Sequence, residues 1–278
     1  MGLPVRAADA VQPRLAAIDW AMLETAVAIG HMPVAAAELI RYRQDVGQPA
    51  IPADVTDLGL RGAPNFELLQ LLRPDLILSS NYYTRYEDRL AEIAPVFSLP
   101  FYIAGQAPLP KVLDALTLLA DRIGDPQAGQ AALARAEASF DALAARAAAF
   151  SDRAVCMVNI GDARHMRIFG FDSLFGNIAT RLGLRNAWAD GTQFSFLAPV
   201  PLERLADMPD ARLVIVGEIP AAARRSLSRS VLWPALPPVV QRRVYAVPDT
   251  NPFGGAPAAT RFAQGLIAAL ERGPQVLA

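Results

Sequence analysis

From residue 127 to residue 150 the chain is rich in alanine, contains no proline and keeps its single glycine, Gly129, near the start. High helix propensity sustained over more than about 20 residues predicts one long helix, on the order of 35 Å at roughly 1.5 Å per residue. A helix of that length can cross from one lobe to another, so the segments on either side of it decide the architecture.

On both sides, short apolar runs alternate with helical patterns, which signals an α/β protein. In the first half, residues 14–20, 55–60, 76–78 and 96–99 read as strands, and 22–29, 65–72, 85–93 and 112–123 as helices. In the second half, 154–160, 166–169, 213–216 and 244–247 read as strands. Residues 173–182, 202–206 and 258–270 read as helices there, with Gly183 closing the first of them. The halves echo each other. Leu68-Leu69-Gln70-Leu71-Leu72 runs through Pro74-Asp75 into Leu76-Ile77-Leu78, and Leu202-Glu203-Arg204-Leu205-Ala206 runs through Pro209-Asp210 into Leu213-Val214-Ile215-Val216. A helix, Pro-Asp, then a buried strand is a common turn by itself. With the long helix between the copies, it predicts two Rossmann-like α/β lobes joined by one long α-helix, with the ligand cleft between them. The expected divisions are an N-terminal lobe at 14–124, a linking helix at 125–150 and a C-terminal lobe at 151–278.

Composition narrows the function classes. The chain of 278 residues is 53% hydrophobic and 19% charged, enough apolar material for a packed core and against disorder. A net charge of −1 without a basic block gives no footprint for nucleic acid. No apolar run approaches the roughly 18–20 residues that span a bilayer. The opening, Met1 to Gln12, lacks a charged segment followed by an apolar one. It fits either a cytosolic protein or a chain starting after a removed signal peptide, with Met1-Gly2 left by cloning. Cys156 is the only cysteine and lies in an apolar run, where a thiol usually serves as a small hydrophobe.

The catalytic inventory is thin. His31 and His165 have no partners at metal-ligand spacing, and no nucleophile elbow or phosphate loop is present. Gly254-Gly255 precedes a helix and could meet an anion there, but a loop that needs flexible backbone is the preferred reading. The loops after strands are richer. Arg61 follows the run 55–60, with Asn65 placed to cap the next helix. Open α/β sheets put ligands at such carboxyl ends, and a guanidinium fork suits oxygen-rich groups. Tyr82 and Tyr83, with Asn81, follow the next strand and suit a ligand wall with a phenol donor, one of the pair packing under its loop.

At these residues the sequence resembles the ferric hydroxamate-binding proteins, which deliver iron(III)-siderophores to an inner-membrane ATP-driven importer. The likeness rests on Val55-Thr56-Asp57-Leu58-Gly59-Leu60-Arg61, Pro64-Asn65-Phe66-Glu67-Leu68-Leu69 and Ile93-Ala94-Pro95 in the first half. In the second it rests on Asp162-Ala163-Arg164-His165-Met166, Phe169-Gly170, Asp172-Ser173-Leu174-Phe175, Asn186-Ala187-Trp188 and Val231-Leu232-Trp233-Pro234-Ala235-Leu236-Pro237. It implies two lobes that close only modestly, and hydroxamate oxygens contacted by Arg61 and Tyr83. It also implies iron held by the siderophore, so that the protein supplies no direct metal ligand and needs no cofactor.

The departures from the family pattern fall in the pocket. The family's tryptophans near Asp45 and Ser195 and its Trp/Tyr pair near Asn251 and Phe253 are absent, so Phe194, Phe196 and Phe253 are expected to supply part of the lining. That points to a siderophore of different shape, of mixed carboxylate/hydroxamate type. The candidate ligand-binding set is therefore Arg61, Tyr83, Tyr82, Phe194, Ser195, Phe196, Asn251, Phe253 and Asp45. The resemblance further implies docking to the ABC permease through Glu87, Asp88 and Glu203, a periplasmic location and a monomer without nucleic acid. Two other readings stay open: the same fold binding a corrinoid, haem or another iron chelate, and a cytosolic two-domain α/β enzyme using Tyr83 and Glu203.

Overall fold

The structure is a computed structural model that describes residues 12–188, 190–192 and 199–276. The first lobe runs β1 (Leu15–Ala17), α1 (Trp20–Ala28), β2 (Ala35–Ala36), α2 (Leu39–Asp45), β3 (Thr56–Asp57), β4 (Gly59–Leu60), β5 (Ala63–Pro64), α3 (Phe66–Leu72), β6 (Leu76–Ser80), α4 (Glu87–Ala91) and β7 (Val96–Leu99). Two long helices follow, α5 (Pro108–Arg122) and α6 (Pro126–Ala147). The second lobe runs β8 (Val155–Ile160), β9 (His165–Ile168), α7 (Leu174–Arg181), β10 (Val200–Pro201), β11 (Arg212–Val216), α8 (Ala221–Leu227), α9 (Pro237–Val240), β12 (Val244–Val247) and α10 (Ala256–Arg272).

Each lobe is built on a five-stranded sheet, in the order β3-β2-β1-β6-β7 in the first and β10-β9-β8-β11-β12 in the second. The first is parallel throughout. In the second, β8, β11 and β12 are parallel, while β9 and β10 run antiparallel to their neighbours. Parallel strands are covered on both faces, so they read as continuous apolar runs rather than alternating ones. Accordingly β6 and β11 are buried along their whole lengths. The two Pro-Asp echoes lead into these two strands, which hold matching places, β6 between β1 and β7 and β11 between β8 and β12.

Helix starts follow the side chains placed to accept orphan N–H groups. Asp19 Oδ1 accepts from Ala21 N at 2.7 Å, Asn65 Oδ1 from Leu68 N at 2.9 Å and Ser173 Oγ from Gly176 N at 3.0 Å. The Asp19 cap also corrects the first expected strand, residues 14–20. It ends at Ala17 because the chain is already helical at Trp20. The expected strand 55–60 is likewise split. Gly59 takes φ +76°, and β4 turns back on β5 as a separate two-stranded hairpin. The expected helices 85–93 and 202–206 are tighter than anticipated. Thr84–Tyr86 and Leu202–Asp207 are 3-10 turns, and only Glu87–Ala91 is α-helical.

The linking helix is α6, 22 residues long with Pro126 in its first turn. A short 3-10 turn at Ala148–Phe150 extends it. Asp125 caps it through Ala128 N at 3.2 Å, and the other Asp125 oxygen meets Nε2 of the buried His31 at 3.0 Å. Gly129 stands where α6 crosses α5 most closely. A Cβ there would lie 2.6 Å from Ala120 Cβ and 2.8 Å from the Leu116 carbonyl oxygen. The cost of a helical glycine, about 1 kcal/mol, is offset by that approach. Gly129→Val should therefore lower unfolding stability by about 2 kcal/mol, read as a lower urea midpoint.

The lobes are not joined by α6 alone. Helix α10 packs on β12 and α7 of its own lobe and also on α1, α5 and α6. One buried apolar cluster runs from Leu15 and Met22, through Phe140 of α6, to Phe175, Phe262 and Val214. Phe175 and Phe262 stack within it at 3.9 Å between ring centroids. No helix among the described residues is long and apolar enough to cross a membrane.

Candidate ligand cleft

A cleft of about 360 Å³ opens between the carboxyl ends of the two sheets. The first lobe contributes Trp20, Arg41, Asp45 and Arg61 to its lining. The second contributes Asn159, Arg167, Phe169, Asp249, Asn251 and Phe253.

Arg61 sits at the tip of the β4–β5 hairpin and is held on two sides. Its guanidinium lies over the Trp20 ring, 3.8 Å from the centroid. Its Nε pairs with Glu38 Oε2 at 2.8 Å, and both side chains are largely buried. The phenol of Tyr83 lies close by, and the Arg61 charge counters part of the rise in its pKa that burial and Asp19 cause. Glu38 reaches the hairpin from a left-handed backbone conformation at φ 54°. The indole N–H of Trp20 donates to the Ala37 carbonyl at 3.0 Å, which fixes the plane on which Arg61 rests. A guanidinium locked over an aromatic face loses little freedom on meeting a ligand oxygen.

Under this pair lies Asp19, whose Oδ2 accepts from Ser80 Oγ at 2.9 Å. Burial raises its pKa. Burial, and then the nearby Asp19, push the phenols of Tyr83 and Tyr82 up to about 12, so both remain proton donors at neutral pH. Tyr82 is exposed and meets Phe253 edge-on at 6.0 Å, and Tyr102 meets the same ring at 5.2 Å. These rings form an aromatic edge that spans the lobes.

On the second lobe, Asn159 and Arg167 stand directly opposite each other in the β8–β9 ladder. Asn159 Nδ2 donates to the Val216 carbonyl at 3.0 Å. In the loop after β12, Asn251 Oδ1 accepts from Phe253 N at 3.0 Å, while its buried Nδ2 has no partner among the described residues. Burial, and next to it the Asp45 carboxylate, raise the pKa of Asp249.

The cleft thus gathers Arg61, Asp45, Asn251 and Phe253 from the sequence-derived set, with Tyr82 at its edge through Phe253, while Tyr83 stands beside Arg61 and packs against the apolar cluster of the first lobe. Asp45 is engaged by Arg41 Nε at 2.8 Å. Phe194, Ser195 and Phe196 lie outside the described residues. Glu87, Asp88 and Glu203 lie away from the cleft, on α4 and the 3-10 turn before β11. Among the described residues none of the three is in an ion pair.

Sequence reasoning missed Trp20, Glu38, Arg41, Asn159, Arg167 and Asp249. The expectation of a pocket short of indole is corrected by Trp20, which comes from the start of α1 rather than from the positions compared. Asp19 before an apolar helical run was the signal that could have placed it. The Gly254-Gly255 turn does meet an acidic group, but it is a carboxyl of the chain's own. Glu24 Oε2 accepts from Gly255 N at 2.8 Å and from Ala258 N at 3.2 Å.

The pair that an enzyme would have used is not assembled, because neither Tyr83 nor Glu203 lines the cleft. Cys156 is buried on β8, and burial pushes its thiol up to about 12, which makes it inert. Among the described residues no cluster of His, Cys, Asp or Glu could hold a metal ion.

Residues 15–250 match the family model described as Periplasmic binding protein. The chain is 32% identical over 260 residues to the iron(3+)-hydroxamate-binding protein FhuD of Escherichia coli K12, covering 93% of this chain and 88% of that one. The structure superposes on the Fe3+-Desferal-bound siderophore-binding protein FhuD of Vibrio cholerae with a TM-score of 0.83 at 26% identity, covering 93% of this chain and 98% of that one. It shares its fold with Staphylococcus aureus SirA, at a TM-score of 0.68, 21% identity and coverage of 93% and 98%. With two α/β lobes, a cleft between them and this match over most of its length, the chain belongs to the periplasmic binding protein family and is a substrate-binding protein, not an enzyme.

Proposed function

We propose that the protein captures an iron(III)-siderophore of the hydroxamate or mixed carboxylate/hydroxamate class in this cleft and hands it to an inner-membrane ABC permease. The observation that carries this reading is the Arg61 guanidinium held over Trp20 and against Glu38 in the cleft wall, with the Tyr83 phenol nearby. Hydroxamate complexes present a ring of partly anionic oxygens around the metal. A rigid guanidinium and a protonated phenol side by side match that ring without touching the iron. The relatives whose printed names include a ferric hydroxamate and ferric Desferal support the same class. In this reading the lobes are residues 14–124 and 151–278 with 125–150 between them. The protein works as a monomer in the periplasm, after loss of a signal peptide.

Titration of the purified protein by tryptophan fluorescence tests the proposal, since Trp20 lies directly under Arg61. Ferric hydroxamates should give a saturable change, and haemin and cyanocobalamin should not. Saturation by one of the latter with no response to any ferric siderophore would replace the ligand class.

The exposed Asp88 and Glu203 are proposed to dock on permease arginines from the two lobes, with Glu87 beside them. The double variant Asp88→Lys, Glu203→Lys should abolish siderophore-dependent uptake in cells and leave the fluorescence affinity within about twofold. A loss of affinity would place these residues in ligand binding instead.

A further inference from the structure

The second-lobe wall of the cleft carries a guanidinium that the proposed hydroxamate clamp does not use. Arg167 lies on β9 between Met166 and Ile168, which are both buried. Strand alternation turns Arg167 to the opposite face, and that face is the cleft. Its neighbours are already balanced. Arg41 pairs with Asp45 at 2.8 Å and Arg61 with Glu38 at 2.8 Å, whereas Arg167 makes no ion pair among the described residues. Asp249 faces the same space, but it is exposed to solvent and forms no ion pair with Arg167 among the described residues. Asn251 adds a second unused donor, its buried Nδ2. A buried amide N–H without an acceptor is costly, and an oxygen of a ligand would relieve it.

We propose that Arg167 and Asn251 Nδ2 receive a peripheral carboxylate of the bound complex, so that the cleft selects a ferric siderophore carrying net negative charge. The inference rests on the siderophore reading above and deepens it. Arg61 and Tyr83 read the oxygens around the metal, and Arg167 reads a charged group on the outer part of the molecule. The division of labour follows from the geometry. One guanidinium is fixed by an indole and a carboxylate. The other is exposed and, among the described residues, unpaired, which leaves it to meet an anion arriving from solvent.

The experiment compares ferric aerobactin, a citrate-based dihydroxamate with anionic carboxylates, with ferrioxamine B, a positively charged trihydroxamate. Both are titrated into wild type, Arg167→Gln, Arg167→Lys and Arg61→Gln. Wild type should favour ferric aerobactin. Arg167→Gln should weaken that complex by about tenfold or more while changing ferrioxamine B by less than about twofold. Arg167→Lys, which keeps the charge but loses the fork, should fall between. Arg61→Gln should weaken both complexes. Equal effects of Arg167→Gln on the two ligands, no effect on either, or a wild-type preference for ferrioxamine B would overturn the charge selection and leave the siderophore reading standing. Failure of wild type to bind either complex would overturn the siderophore reading itself.

Discussion

Replacing Arg61 with alanine is expected to weaken ferric hydroxamate binding by about a hundredfold. A charge-assisted hydrogen bond to a ligand oxygen contributes roughly 1.5–3 kcal/mol, and each 1.4 kcal/mol is about tenfold in affinity. The alanine variant loses more than its own bonds. Glu38, whose side chain is only 13% exposed, is left without its counter-charge and points its carboxylate toward the ligand's oxygens. Tyr83 loses a neighbouring positive charge. Arg61→Lys should recover only part of the loss, because an ammonium cannot lie flat on Trp20 and reach Glu38 and the ligand together. Fluorescence titration of the three proteins checks this. An alanine variant that binds within about twofold of wild type would mean that the ligand sits elsewhere in the cleft.

The second large effect lies behind the cleft, at Glu24. This carboxyl is fully buried on α1 and bridges to the start of α10 in the other lobe through Gly255 N and Ala258 N. There is no room to rebuild the contact. A Cβ on Gly254 would lie 2.7 Å from Glu24 Oε2, and one on Gly255 2.8 Å from the Ala21 carbonyl oxygen. Glu24→Ala should therefore cost about 3 kcal/mol, since it leaves buried helix-end donors without an acceptor.

The same group makes stability depend on pH. Burial pushes the Glu24 carboxyl up to about 8 from its ordinary 4.5, opposed by the Arg261 charge and by the two backbone bonds and assisted by Asp19. The folded protein keeps this proton up to about pH 8, whereas the unfolded chain releases it near 4.5. Between those values the folded state binds more protons, so stability falls as pH rises through the window, and the penalty is complete above it. Glu24→Gln should match wild type within about 1 kcal/mol at pH 5 and exceed it at pH 8.5. Asp19 and Asp249 are shifted in the same direction, so the substitution should flatten the profile rather than level it. Urea unfolding at pH 5, 7 and 8.5 measures the slopes, and equal slopes in both proteins would remove Glu24 from the account.

These two sites also show which features could be read from the sequence. The linking helix was legible because propensity accumulates over a long uninterrupted stretch. The place of Arg61 beside the cleft was legible because it follows an apolar run, although that run turned out to be split into a hairpin. Its supports were not. Trp20 looked like the end of a strand, since the apolar residues from Leu15 onward continue past it, and only the Asp19 cap marks the change to helix. Glu38 reaches Arg61 from a left-handed backbone position that its residue type does not announce. β2, of only two alanines, is too short to show any period. Arg167 occupies the outward register of a strand, and the local pattern cannot distinguish solvent from a facing lobe. That distinction arises only when the second lobe is placed against the first. Glu24, a charged residue within a buried helical face, is explained by a partner 231 positions away.

The seam between α1 and α10 also bears on how the chain acquires its structure. The inner face of the first lobe, which includes Met22, Leu23 and Glu24, is covered by a helix of 17 residues that is made long after α1, its first contact lying 231 positions beyond Glu24. Contacts of such long sequence separation form late, because the intervening chain must first be brought together. An emerging polypeptide can assemble its first sheet early, yet that lobe keeps an uncovered apolar flank until α10 arrives. A nascent chain held short of α10 should thus stay sticky and protease-sensitive along α1, whereas the finished chain closes both lobes in one cooperative event.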